Sequence, residues 1–137
     1  MARLKDTQNE LVAVLETALA AVPTAWEGVS FTPPERTLWA RVTSTTGDAM
    51  MATLGEGGED MVIGSYVVTF YSPMGLGVNP LRDQYEILRL AFPAGLRPHI
   101  KLVVMRCSRS NYGQHNENGG RWLTMSCTIL YQTWIER

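Results

Sequence analysis

The chain has 137 residues, 45% of them hydrophobic and 18% charged, the make-up of one folded domain rather than a disordered chain. Twelve Lys and Arg face 13 Asp and Glu for a net charge of −1, which leaves no polybasic membrane patch and no footprint of a tight nucleic-acid binder. Two cysteines exclude a disulfide framework, and both fall in stretches of strand composition, where reduced packing thiols fit.

The first predicted element is a helix. Leu4, Gln8, Leu11, Leu15, Leu19 and Val22 recur at spacings of three and four and share one face. Thr7 and Glu10 have the spacing of a capping box, a start at Leu4 keeps the same phase, and Pro23 stops the helix. Arg3 and Lys5 ahead of an apolar run imitate a signal peptide, but Asp6, Glu10 and Glu16 fit an amphipathic helix better, so a cytoplasmic chain without an anchor is expected. Residues 23–36 read as irregular, punctuated by Pro23, Gly28, Pro33 and Pro34, with Trp26, Val29 and Phe31 to be laid across a hydrophobic surface.

A strand is expected over residues 37–45, then a glycine-rich connection over 46–60, then a strand over 61–72 dense in Val, Ile, Tyr, Phe and Thr. The uncharged run 61–81 is long enough to raise the question of a membrane span, but Pro73, Gly75, Gly77, Asn79 and Pro80 interrupt it. A second helix follows, with Asn79 as N-cap, Pro80 at the first helical position, Asp83 near the positive end of the dipole, and Leu81, Tyr85, Leu88 and Phe92 as its apolar stripe. Arg82 and Glu86 are spaced to pair on its wet side, and Pro93 and Gly95 end it. A strand over 99–109, a polar Asn/Gly loop over 110–120 and a strand over 121–134 complete a long hairpin.

The order α-β-β-α-β-β predicts a single α+β domain over residues 1–137, a two-layer sandwich with both helices on one face of a mixed, mostly antiparallel sheet of about four strands. A right-handed crossover through the second helix would place a parallel pair in that sheet. Alternation puts Val62, Tyr66, Val68 and Phe70 on one face and Met61, Ile63 and Val67 on the other. In the last strand Leu123, Met125, Cys127, Ile129 and Tyr131 oppose Trp122, Leu130 and Trp134. Two short helices cover only one side. Leaving about 500 Å² of apolar surface wet forfeits about 12 kcal/mol at ~25 cal/mol per Å². Either the loop carrying Trp26 and Phe31 covers the second face, or another subunit does.

Chemistry-bearing patterns are sparse. His99 and His115 form no short ligand pair with each other or with Cys107 or Cys127, so no metal site is expected. With a hairpin turning near His115, Cys107 would lie across from Leu123 rather than Cys127, out of disulfide register. The turn over 72–79 lies where a phosphate-binding loop belongs, but Pro80 replaces the third glycine of the dinucleotide fingerprint, so a plain strand-to-helix turn is expected and no cofactor. Glu56, Glu59 and Asp60 sit among glycines: either a solvated loop or a loop that orders on a partner, the second reading supported by Met50, Met51 and Leu54 upstream. Arg97, Lys101, Arg106, Arg109 and Arg121 charge the last hairpin and fit a solvated or salt-bridged edge. No nucleophile stands beside a recognisable base, so no enzyme is expected.

The segment Ala25-Trp26-Glu27-Gly28-Val29-Ser30-Phe31-Thr32-Pro33-Pro34, followed by Leu38-Trp39-Ala40-Arg41-Val42, resembles the tail terminator proteins of long-tailed phages, in particular the small lambda-type family of siphophages and prophages. The likeness continues through Thr53-Leu54-Gly55, the 61–71 strand, the turn at 72–77, Phe92-Pro93-Ala94-Gly95 and Gly120-Arg121-Trp122. It departs at residues 46–51 and in the 110–120 loop. The resemblance implies a virion protein of the tail neck, assembled in the host cytoplasm. Six copies would form a ring that caps the tail tube, stops its polymerisation and offers a docking surface to head-completion proteins. Its partners would be copies of itself, the major tail tube protein, a head-completion or connector protein, and DNA passing through the lumen without sequence readout; no cofactor, metal or membrane is implied. Met50, Met51, Leu54, Glu56, Glu59 and Asp60 are then the candidates for subunit or tube contacts, and Tyr112 and His115 for an opposite partner. Trp26, Phe31, Pro33 and Pro34 carry the likeness, and the plainer view is that they lock their loop to the core. The alternatives are another head–tail connector or tube subunit, or a small-ligand domain using the 72–79 turn.

Overall fold

The computed structural model describes residues 3–34, 36–53, 57–117 and 120–136. Its elements are α1 (Leu4–Ala18), β1 (Thr24–Ala25), β2 (Trp39–Thr46), β3 (Met50–Met51), β4 (Glu59–Pro73), α2 (Asn79–Ala91), β5 (Leu102–Arg109), β6 (Gly113–Glu117) and β7 (Gly120–Glu136). The α+β class holds, but the sheet has seven strands rather than about four, in the order β1-β2-β4-β7-β5, with β3 also on β4 and β6 also on β7.

The difference has a simple cause. β4 and β7 run 15 and 17 residues and pair along nearly their whole length, from Glu59↔Glu136 to Pro73↔Trp122. Each overruns its other neighbour. β2 takes Gly64 to Tyr71 of β4, and β5 takes Cys127 to Thr133 of β7. The overhanging backbone groups still need partners. They take them from the connections: Met50 and Met51 pair with Met61 and Asp60, and residues 113–117 fold back on 120–124. The segment expected as a polar loop over 110–120 is therefore largely paired strand, residues 113–117 against 120–124, and Cys107 pairs with Ile129 rather than facing Leu123. The parallel pair is also elsewhere than expected. β7 separates β4 from β5, antiparallel to both, and the parallel pairing runs between β1 and β2.

Both helices lie on one face, as the apolar counts demand. Leu11 and Leu15 of α1 and Leu81, Leu88 and Phe92 of the α2 segment are sealed against Val68, Phe70, Cys127, Ile129 and Tyr131. Each such leucine contributes about 2 kcal/mol of burial. Helix ends differ in detail from the expectation. Thr7 is buried inside α1 and its Oγ1 donates to the Leu4 carbonyl at 2.9 Å, so the helix starts at Leu4 and no capping box forms. Asn79 is the first helical residue, after Val78, and its side chain makes no cap bond. Glu86 pairs with Arg89 at 2.7 Å instead of with Arg82, whose Nε donates to the Tyr112 hydroxyl at 3.3 Å.

A second, smaller cluster sits on the opposite sheet face: Ala25, Trp39, Tyr71 and Trp122, with Phe31 laid against it. Trp39 stacks on Tyr71 with ring centroids 4.1 Å apart and meets the edge of Trp122 at 6.2 Å.

Candidate assembly surfaces

The face without helices is divided into three zones along the strands. At one end lies the aromatic cluster. Phe31 packs its ring 5.6 Å from Trp39, while Trp26 packs against the main core, and Pro33 borders the groove beside Arg41. Arg41 closes this end with its guanidinium 5.5 Å from the Trp39 ring and 5.9 Å from Tyr71. Trp26, Phe31, Pro33 and Pro34 are all half-buried. The middle is mostly polar, with Thr43, Ser65, Thr128 and Ser108 around a half-buried Val67, and with Thr69 and Ser126 hydrogen-bonded across the strands at 3.0 Å.

The far end is apolar. Register places Met50, Met61 and Trp134 in one row, Ile63, Gln132 and Val103 in the next, and Leu130 beyond, with Met105 at a bulge in β5. Among the described residues no helix or loop is packed over this zone, and Ile63, Met105 and Met50 expose 37%, 42% and 50% of their surface. Gln132 Nε2 donates to the Met61 sulfur at 2.7 Å, and the Glu59–Lys101 ion pair, also 2.7 Å, closes the rim. The loop carrying Phe31 thus covers one end of this face and leaves the other end bare.

The sheet edges differ as much as its faces. The outer edge of β2 is blocked. The Ala40 amide donates to the Pro23 carbonyl, and both the amide and the hydroxyl of Ser44 donate to one oxygen of the Glu27 carboxylate, at 2.9 and 2.7 Å. The first half of β5 is blocked too, by Gly95 and Leu96 bonding both ways to Val104.

The candidate contact residues fall into different settings. Met50 and Met51 stand exposed on β3, the outermost strand at their level. Glu59 is tied down by Lys101 and by its amide, which donates to Thr53 Oγ1 at 2.6 Å, so it anchors the arm rather than reaching outward. Asp60 is half-buried opposite Met51. Leu54 and Glu56 lie outside the described residues. Tyr112 packs on the core with the Arg109 guanidinium 5.6 Å over its ring, and His115 pairs with Trp122 while its ring meets Tyr71 edge-on at 5.4 Å. These two do not share a loop: Tyr112 directly precedes β6 and His115 lies within it. Sequence reading missed the bulge that turns out Met105 and the exposed Ile100 and Leu90, because single apolar residues in a loop or on a helix carry no periodic signal.

Among the described residues reactive groups do not gather at one place. Burial pushes the Cys127 thiol up to about 12, nearby Cys107 adding to it, and burial also raises Cys107. His99 accepts the Lys101 amide on Nδ1 at 3.0 Å. Among the described residues no group of three His, Cys, Asp or Glu converges, and no helix is long and apolar enough to cross a membrane. What the surface offers is shape, apolar area and open backbone.

A family model described as phage tail terminator protein matches residues 6–131. No curated protein matches the chain significantly. One solved structure, 19% identical, covers 92% of this chain and 94% of its own with a TM-score of 0.53, a likeness of fold.

Proposed function

This chain belongs to the phage tail terminator family, and from that premise we propose that it forms a homohexameric ring that caps the finished tail tube. The family is one of structural tail proteins, so the chain works in the virion tail. In the proposed action the ring binds the last ring of the major tail tube protein by surface complementarity, occupies the place of the next tube subunit, and so stops polymerisation. Its other side, at the neck, receives a head-completion or connector protein, and DNA passes through the lumen. No bond is made or broken; the work is recognition.

The observation that carries this reading is the bare apolar end of the helix-free face. A soluble domain that seals one end of a sheet face with Phe31 and Trp39 yet leaves Met50, Ile63 and Met105 wet at the other has surface reserved for another chain. A ring subunit must bury surface against two neighbours as well as against the tube. A net charge of −1 is compatible with a channel that DNA must traverse without being held.

Electron microscopy of phage lysates lacking this protein tests the proposal. The expected result is overlong or uneven tails without heads. Tails of uniform length still joined to heads would overturn it, and long cylinders formed by the purified protein alone would make it a tube subunit instead.

A further inference from the structure

We infer that two open sheet edges, the Met50–Met51 strand of one copy and the Cys107–Arg109 stretch of the next, pair to join neighbouring subunits head to tail. The inference rests on the ring reading above and names the surface through which copies meet.

The backbone registers say which groups point outward. In β5 the Ser110 amide donates to the Ser126 carbonyl, which makes 110/126 a bonded pair. Antiparallel pairing alternates, so Cys107 opposite Ile129 and Arg109 opposite Cys127 turn their N–H and C=O groups away from β7. Among the described residues no backbone group takes them up, whereas the first half of the same strand is closed by Gly95 and Leu96. In β3 the Ala52 amide donates to the Glu59 carbonyl, so by the same alternation Met50 bonds inward to Met61 and Met51 presents its N–H and C=O outward. These two edges lie at opposite sides of one sheet. A molecule with two different open edges makes a heterologous contact, which closes into a ring when the rotation from copy to copy completes a turn.

Side chains match as well. Met51 opposes Asp60 and therefore points to the helix-bearing face, as does Cys107 opposite Ile129. A ring rotation keeps that face on the same side in every copy. Met51, 64% exposed, is thus aimed into the groove of about 340 Å³ beside the β5 edge, bordered by Leu90, Phe92, Pro93, Arg106 and Cys107. Met50 points to the other face and extends the neighbour's apolar zone at Met105. Charges are complementary: exposed Asp48 leads into the first edge, and exposed Arg106 and Arg109 belong to the second. Extended backbone, an adaptable apolar side chain and opposite charge all select the β3 arm of a second copy as the occupant.

Met51→Cys tests the pairing with a short bismaleimide linker against native Cys107, in the full chain, at high concentration and with tail tubes added. Within one chain the two positions are three strand spacings and six residues of register apart, about 24 Å, beyond such a linker's reach. The expected result is a covalent ladder of up to six chains on a denaturing gel, lost when Cys107→Ser is added. Sedimentation of rings without any ladder would overturn this pairing and leave the ring reading standing; sedimentation of a monomer under every condition would overturn both. Independently, Arg106→Glu should raise the concentration for half-assembly at least tenfold, and Asp48→Arg in the same chain should restore it. Failure of that rescue in folded variants overturns the pairing.

Discussion

Gly64 is where a single atom decides whether the sheet closes. A Cβ there would stand 2.5 Å from the Tyr131 hydroxyl oxygen and 2.9 Å from the Thr45 carbonyl. Tyr131 crosses this gap to stack against Tyr66 at 5.8 Å and to accept a 2.9 Å hydrogen bond from Gln8 of α1, so one glycine lets a strand and a helix share a tyrosine. Gly64→Ala should destabilise the fold by about 1–3 kcal/mol, the usual result of overpacking, read as a lower urea midpoint with an unchanged slope. Titration supplies a second expectation. Burial raises the Cys127 thiol to about 12 and the Tyr66 hydroxyl, helped by Tyr131 and Glu27, also to about 12. Both groups ionise earlier in the unfolded chain, which then binds fewer protons than the native state, so stability falls as pH rises. It should be intact below about pH 8 and lost progressively between roughly 9 and 12. Melting temperatures across that window check it, and Cys127→Ala should flatten the decline. A loss of stability on going from pH 8 down to 6 would not come from these groups.

Among the elements, the long strands and helices were legible in the sequence because each repeats its pattern several times. Val62, Tyr66, Val68 and Phe70 alternate over enough residues to assign a face, and Leu11, Leu15 and Leu19 are enough to assign a helix stripe. The strands β1 and β3 are two residues each and have no period to detect; they exist because longer neighbours left backbone unpaired. Helix caps were misread for a related reason. Asn79 has the right chemistry for a cap, but the tight turn through Gly75 and Gly77, both at positive φ, delivers the chain to Val78 in helical geometry one residue early. Glu27 had no local signal at all, since its partner Ser44 is 17 residues away. It closes the β2 edge as a side-chain substitute for a further strand residue. Glu27→Ala should cost about 1–2 kcal/mol and expose a strand edge, seen as faster aggregation in light scattering at equal protein concentration. Unchanged stability and unchanged scattering would mean that the edge is protected by something other than this carboxylate.

For the whole molecule, the two faces of the sheet have separate duties, and that separation can be tested. The helix-bearing face holds the core, where Leu88→Ala should lose about 2–5 kcal/mol. The bare end of the other face contributes little to the isolated chain, because Ile63 and Met105 are already partly wet. Ile63→Lys should therefore shift stability by no more than about 0.5 kcal/mol. The same charge becomes costly once another chain is laid over it, since an unpaired ammonium is then desolvated. The variant should fold, express and melt like the parent, yet fail to rescue tail completion when supplied in trans to phage lacking the protein. Thr43→Lys, in the polar band of the same face, adds the same charge outside the apolar zone and should rescue normally. If both variants rescue, the apolar end faces water in the finished tail, and the assembly must be held through edges and loops alone.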